Sequence, residues 1–418
     1  MTPVDEHEAL RRDEADPGHR DLFHVPPGGG AYAACAYLAG NSLGLQPKST
    51  ADELVAELAA WQHLGVEGHF EADRPWFSYH ESLTAPAARL VGALPVEVVA
   101  MNSLTVNLHL LMVSFYRPTA IRHTILVEDT TFPSDSYAVR SQAAFHGFDP
   151  DTAVVRLGTE DLNSEVLSYL ERDGDTVALV LLGGVNFLTG ELLDIPAITS
   201  AGHAAGAIVA WDLAHAAGNV PLTLHDWEVD FAAWCSYKYL NAGPGSVGGA
   251  FVHERHLGDS SLPRFEGWWS NDPATRFEMA PVARPPASAD AWQVSNPPIL
   301  AMSPLRTSLE LFDKVGIDAL RQRSERLTGY LEALLDTVGP AAVLVTPRDP
   351  RRRGAQLSLR VSGDAAAKVA DRLRHEHGVV VDARPPDIVR LAPVPLYSTY
   401  HDCWRAAVAL GQVLGVDP

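Results

Sequence analysis

Between residues 124 and 252, short apolar runs of strand composition alternate with stretches of helical periodicity. The runs are TILV at 124–127, VALVLL at 177–182, AIVAW at 207–211 and GAFV at 249–252; the helical stretches include 162–172 and 194–205. Such runs are apolar on both faces, so each must lie inside a sheet covered on both sides, and a helix between successive runs makes their neighbours parallel. This pattern predicts an α/β fold, a mainly parallel sheet flanked by helices. After Pro304 the pattern changes: 305–338 carries long helical periodicity, 356–361 (QLSLRV) alternates like a half-exposed strand, and 365–377 reads as a helix. A smaller C-terminal α+β domain is therefore expected, as suits a chain of 418 residues, which is too long for one compact core. The first thirty residues are charged and then Pro/Gly-rich, like a loosely held arm. The expected organisation is an N-terminal arm over 1–45, a large domain over 46–310 and a small domain over 311–418.

In a sheet of this kind ligands bind beyond the carboxyl ends of the strands, so polar residues just after each apolar run carry the interest. Asp212 follows AIVAW directly and His215 lies three residues on; Lys238 follows the apolar segment 229–234 and precedes the glycine-bearing NAGPG of 241–245. Taken singly, Asp212 would serve as a helix N-cap and Lys238 as a solvated lysine. Lys238, however, sits among Phe231, Trp234, Tyr237 and Tyr239, where an unpaired ammonium is costly to bury. An acid after one strand and a lysine after the next is the arrangement pyridoxal 5'-phosphate requires. The amine bonds to the cofactor's aldehyde and later moves protons, and the carboxylate keeps the ring nitrogen protonated. Leu104 and Thr105 open the helical run 106–115, whose first amides and the Thr105 hydroxyl can cradle a phosphate; otherwise Thr105 is a plain cap.

The stretches FAAWCSYKYLNAGPG (231–245) and WDLAHAAGNV (211–220) closely resemble kynureninase, a pyridoxal-phosphate hydrolase family within the fold-type I aminotransferase superfamily. YLAGNSLGLQP (37–47), NSLTVNLHLLMVSFY (102–116), FPSD (132–135), SNPPI (295–299) and RLAPVPLY (390–397) are also similar to family stretches and stand in family order, so the resemblance spans nearly the whole chain. It implies hydrolysis of L-kynurenine or 3-hydroxy-L-kynurenine to the matching anthranilate and L-alanine. The setting it implies is tryptophan catabolism and the kynurenine pathway toward NAD biosynthesis, or a related biosynthetic route. Residue by residue, it implies that Lys238 bonds to the cofactor, that Asp212 pairs with the ring nitrogen, and that His215 and Asp135 lie close by. Phe132, Pro133 and Ser134 belong to the same cofactor-binding segment, Phe132 lying against the ring. Tyr237 hydrogen-bonds the phosphate and, with Lys238, is a candidate proton carrier. Trp268 and Asn296 would reach the site from a neighbouring subunit, making a homodimer with shared sites, and Arg390 would grip the substrate α-carboxylate through a bidentate pair. His69 and Asn296 resemble the pair found in family members that favour the 3-hydroxylated substrate. Gly183, where many members carry serine, and Leu188, often a more polar residue, depart from the pattern.

The net charge of −20 repels nucleic acid and anionic membranes. No run of about 18 uninterrupted apolar residues and no N-terminal apolar segment is present, so a cytoplasmic protein is expected. Cys35, Cys235 and Cys403 are odd in number and scattered, as suits reduced thiols, with Cys235 read as a packed residue. No metal site is expected: His253-Glu254-Arg255-His256 lacks the helical spacing of a zinc pair and reads as a surface turn, and Arg351-Arg352-Arg353 as a solvated charge run. Two alternatives stay open. Another fold-type I lyase, such as a cysteine desulfurase or selenocysteine lyase, would share the Asp, His and Lys framework but needs a mobile cysteine. A non-enzymatic ligand sensor of the same fold would show a DNA-binding extension or a lost lysine.

Overall fold

The computed structural model describes residues 5–28, 32–158, 161–363 and 365–416. Its large sheet has seven strands: β1 (Val98–Met101), β2 (Thr124–Glu128), β3 (Val154–Leu157), β4 (Val177–Gly183), β5 (Ile208–Asp212), β6 (Phe231–Trp234) and β7 (Gly248–Val252). Their spatial order is β1-β7-β6-β5-β4-β2-β3. All pairings are parallel except those of β7, which runs antiparallel to both neighbours. The four runs read from composition are β2, β4, β5 and β7, each within a residue of its expected ends. Successive side chains divide between two cores on opposite faces of the sheet. Leu126, Val180, Val209 and Trp211 pack on one face, and Ile125, Val127, Leu179 and Ala210 on the other. A sheet buried on both faces needs the continuous apolar runs that the sequence supplies.

The smaller domain is a four-stranded antiparallel sheet of β8 (Ala342–Leu344), β9 (Leu357–Val361), β10 (Asp382–Arg384) and β11 (Ile388–Leu391), in the order β8-β9-β11-β10. Helices Ile317–Leu335, Ala366–His377 and Tyr400–Val413 enclose its core. The long helical run expected over 305–338 is two helices, Ile299–Val315 and Ile317–Leu335. They part at Gly316, whose φ of 83° lies in the left-handed region that ends a helix cheaply only at glycine. Leu320 packs in the large core and Leu327 in the small one, so the second helix carries the chain from one core to the other.

The N-terminal segment packs where a loose arm was expected. Glu6–Ala15 is a helix whose Ala9 is buried in the small core, Asp16 pairs with Arg323 and Arg326, and Ala36–Tyr37 pairs in parallel with Val379–Val380. Arg353 also departs from the solvated run read for it. Only 2% of its side chain is exposed and it pairs with Glu332 at 2.6 Å, because its backbone bridges to Glu191 where the two domains meet; Arg351 is exposed as expected. No helix among the described residues is long and apolar enough to cross a membrane.

Candidate active site

The carboxyl ends of β2, β4 and β5, at Glu128, Gly183 and Asp212, open onto one cavity of about 490 Å³ that Tyr237 and Lys238 close from the segment after β6. Lys238 is held in place by its own turn. Ser236 donates its hydroxyl to the carbonyl of Val247, Ala242 N–H returns to the carbonyl of Ser236, and Asn241, at φ 57°, donates its N–H to the carbonyl of Lys238. Gly44 N–H binds the carbonyl of Tyr237, and any Cβ at Gly44 would stand 2.3 Å from the Lys238 carbonyl. A glycine there lets the segment 37–47 lie directly on the lysine turn. The 46–47 end of that segment pairs with Phe23–His24.

Lys238 Nζ hydrogen-bonds His215 Nε2 at 3.2 Å, with the rings of Tyr237 and Phe132 about it at 5.9 and 6.0 Å. His215 is buried, and burial together with the charges of Lys238, Arg390 and Arg384 holds its imidazole neutral. Asp212 anchors one carboxylate oxygen on Ala214 N–H at 2.7 Å. Asp135 is buried beside Asp212; burial and that second carboxylate raise its proton affinity. Glu128, which the sequence reading did not single out, is a third buried acid of the cavity, raised by burial to about 7 and bound through Oε2 to Asn186 Nδ2 at 2.9 Å. Burial likewise keeps the Tyr237 hydroxyl protonated.

The far end of the cavity is built by the N-termini of two helices, Leu104–Phe115 and Pro133–Phe145. Ser103, Leu104, Thr105, Phe132, Ser134 and Asp135 all line it, and the hydroxyls of Thr105 and Ser134 meet at 2.7 Å. Two such termini with free amides and paired hydroxyls suit a phosphate dianion. Phe132, 42% exposed, presents an aromatic face, and two buried polar atoms of the cavity, His215 Nδ1 and Asp135 Oδ1, have no partner among the described residues. A flat, phosphorylated, nitrogen-containing ring with an aldehyde for Lys238 fits this donor set at each point.

The small domain contributes from the opposite side. Arg390 is fully buried, its Nη2 lying 2.6 Å from Asp382 Oδ2 and 3.2 Å from Ser42 Oγ. Asn41, Ser42, Val185, Phe187 and Arg384 complete the lining, and none of these was singled out beforehand; Asn41 and Ser42 lie in the quoted YLAGNSLGLQP.

Five expected site residues lie outside the lining of this cavity, the fully buried Arg390 among them. Pro133 starts its helix with an exposed ring. His69 meets Trp76 edge-on at 5.5 Å, and Phe70 beside it continues through Phe277 to Trp268. Asn296 is exposed, two residues past Val294, whose carbonyl accepts Trp269 N–H. His69, Trp268 and Asn296 thus gather on or beside one aromatic patch. His253, read as part of a surface turn, is instead buried and stacks on His225 at 5.0 Å beside Glu97. The Glu97 oxygens already accept N–H groups of Leu94, Glu254 and His225, so the protein itself satisfies that cluster. Cys235 is buried as expected.

A lysine, an aspartate and a neutral histidine at the carboxyl ends of a seven-stranded sheet in this order define an enzyme of the fold-type I pyridoxal-phosphate-dependent class. The fold is shared with a C-DES variant carrying glycine covalently linked to its PLP cofactor (TM-score 0.79, 18% identity, 91% of this chain and 97% of that one). It is shared also with alanine–glyoxylate aminotransferase from Nostoc sp. (TM-score 0.67, 17% identity, 94% and 96%). Residues 320–410 match the family model of the kynureninase C-terminal domain. Over 420 residues the chain is 71% identical to kynureninase from Salinispora tropica, covering 99% of this chain and 98% of that protein. It is 56% identical to kynureninase from Koribacter versatilis, over 95% of each. The chain belongs to the kynureninase family.

Proposed function

We propose that the protein binds pyridoxal 5'-phosphate and hydrolyses L-kynurenine, with preference for its 3-hydroxy form, to the matching anthranilate and L-alanine. The observation that carries this reading is Lys238 Nζ at 3.2 Å from a neutral His215 in the cavity of Asp212, on a chain of 71% identity to a kynureninase. Bound there, the cofactor supplies an electron sink for negative charge developing at the substrate Cα and Cβ.

The amides at the two helix starts, the hydroxyls of Thr105 and Ser134 and that of Tyr237 would hold the phosphate. Asp212 would pair with the protonated ring nitrogen, with Asp135, its proton affinity raised by burial, beside it. Phe132 would lie against the ring. Arg390 orients the α-carboxylate, and Lys238 takes the Cα proton. His215, uncharged, holds Nζ by its hydrogen bond without repelling it. Once water has added at the aryl ketone the Cβ–Cγ bond breaks, the acyl carbon leaving as the anthranilate carboxylate; Lys238 or Tyr237 supplies a proton to Cβ, and the proton taken from Cα is returned there, completing L-alanine.

The active form in this reading is a homodimer. Support comes from the exposed apolar patch of Phe70, Trp268, Phe277 and Met279, the last 73% exposed, which a lone chain would leave in water. A partner seated there would bring its Trp268 and Asn296 to this cavity, and His69 and asparagine can both hydrogen-bond a ring hydroxyl. Gly183 and Leu188 widen the range to further substituted rings, such as a methylated one from a specialised biosynthetic route. A place in tryptophan catabolism and a cytoplasmic location accord with the reading.

The test is an absorbance spectrum of the protein reconstituted with cofactor, then addition of kynurenine. A near-visible band abolished by borohydride, and release of alanine with anthranilate, are expected; a band without alanine release refutes the hydrolase.

A further inference from the structure

Beside the cavity, two guanidinium groups face a single carboxylate. Asp382 Oδ2 lies 2.6 Å from Arg390 Nη2 and 3.2 Å from Arg384 Nη2, and it also accepts the Ser42 hydroxyl. The two arginines are held very differently. Arg390 has no exposed side-chain surface and spends Nη1 on the carbonyl of Phe187. Arg384 lines the cavity with 34% of its side chain exposed, its Nη1 reaches only the carbonyl of Ala383 at 3.5 Å, and its buried Nε has no partner. Among the described residues Asp382 is the one acid within ion-pair range of either, so one positive charge at the cavity wall lacks a counter-charge.

We propose that Arg384 is the second arm of the grip on the substrate α-carboxylate, Arg390 being the fixed arm, with Asp382 standing in for that carboxylate when the site is free. The edge formed by Nε and Nη2 is the one a carboxylate engages bidentately, and here it is held by one long contact. Arrival of the substrate carboxylate balances the charges: two guanidinium groups against Asp382 and the ligand. Arg384 lines the same cavity as His215 and Lys238, which hydrogen-bond each other there. A carboxylate gripped there sets Cα toward the amine that must reach it. The inference rests on the reading of the site as one for an amino acid.

The test uses the reconstituted holoenzyme of the parent, Arg384→Gln and Arg384→Lys. L-Alanine binding is followed by the cofactor absorbance, without bond cleavage, and kynuramine, which is kynurenine without its α-carboxylate, serves as the control ligand. For Arg384→Gln, cofactor content and melting temperature are expected to match the parent. The Kd for alanine and the KM for kynurenine should rise about 10- to 100-fold, with a smaller change in kcat and kynuramine binding changed less than about twofold. Arg384→Lys, which keeps the charge and loses the fork, should fall between. Alanine affinity within twofold of the parent in Arg384→Gln, or equal losses for alanine and kynuramine, would overturn the proposal. Should Arg384→Gln lose its cofactor, Arg384→Lys decides by the same alanine-to-kynuramine ratio. A parent that binds alanine in preference to the amine yet fails to cleave kynurenine would refute the hydrolase reading and leave this one standing.

Discussion

Glu128→Gln gives a stability difference that changes sign with pH. In the folded chain burial lifts the Glu128 carboxyl from its usual 4.5 to about 7, so between those values the folded protein keeps a proton that the unfolded chain releases. More protons on the folded state means stability falls as pH rises, fully present below about pH 4.5 and lost above about 7. At 1.36 kcal/mol per pH unit the loss is about 3 kcal/mol. Glutamine never ionises and so carries none of it. It does carry a constant penalty: Glu128 offers acceptors to both Asn186 Nδ2 and the Gly183 N–H, while an amide has one oxygen, leaving a buried donor unmatched at about 1 kcal/mol. The variant should therefore be less stable than the parent by about 1 kcal/mol at pH 4, nearly equal to it at pH 5 and more stable by about 2 kcal/mol at pH 8. Urea unfolding of the cofactor-free proteins, followed by tryptophan fluorescence at pH 4, 5, 6, 7 and 8, measures the difference directly. A parent-to-variant difference that stays constant across this range would refute the argument that Glu128 is held protonated.

Lys238→Ala should fold with the parent's circular dichroism, lose the borohydride-sensitive band and lose kynurenine turnover by several orders of magnitude; turnover near the parent's would remove Lys238 from the mechanism. Mixing Lys238→Ala with Asn296→Asp chains should restore part of the activity each lacks through hybrid sites, whereas full activity in a strictly monomeric parent, measured by light scattering, would exclude shared sites. The parent should favour 3-hydroxykynurenine over kynurenine by about tenfold or more in kcat/KM, because a site built around a ring hydroxyl leaves polar groups unpaired without it. His69→Trp with Asn296→Thr should erase that preference, and an unchanged ratio would show that the pair does not read the ring.

The sheet was legible because a strand buried on both faces admits few polar residues, and the same rule drew attention to Asp212, the last residue of β5, and to Lys238 shortly beyond β6. Glu128 follows the run 124–127 as directly as Asp212 follows 207–211, but no lysine or histidine comes soon after it in the sequence, and only the buried Asn186 bound to it reveals its setting. The strands β1 and β3 lie outside the runs read from composition; Arg156 interrupts the apolar pattern of β3. Asn41, Ser42 and Arg384 reach the cavity through long-range packing, the first two on a segment paired elsewhere with Val379–Val380 and the last on a strand of the other domain. No local pattern encodes such a meeting. The family resemblance reached Arg390 for the same reason that periodicity could not: its role depends on which domain it faces.

One turn accounts for how these distant parts are brought to a common geometry. After β4, Gly184 N–H binds the carbonyl of Asp212 at 2.8 Å, and Asn186 donates to Glu128 at 2.9 Å and to Thr130 Oγ1 at 2.8 Å, which ties the turn to the ends of β5 and β2. The same Asn186 accepts the N–H groups of Leu188 and Thr189 at 2.9 and 2.8 Å, so the turn cannot shift without breaking bonds at both ends of one buried amide. From the other domain, Arg390 and Gln356 both donate to the carbonyl of Phe187, Thr346 donates to the carbonyl of Thr189, and Leu192 N–H reaches the carbonyl of Arg352. The Phe187 ring meets Phe132 edge-on at 5.2 Å. A single residue thus sets the positions of both Arg390 and the Phe132 ring. In the proposed reading the substrate is held between those two groups, so a misplacement of about an ångström would cost far more in rate than in stability. Buried hydrogen bonds at Asn186 and Phe187, rather than the apolar contacts of either core, therefore decide how accurately the two domains present one substrate to Lys238.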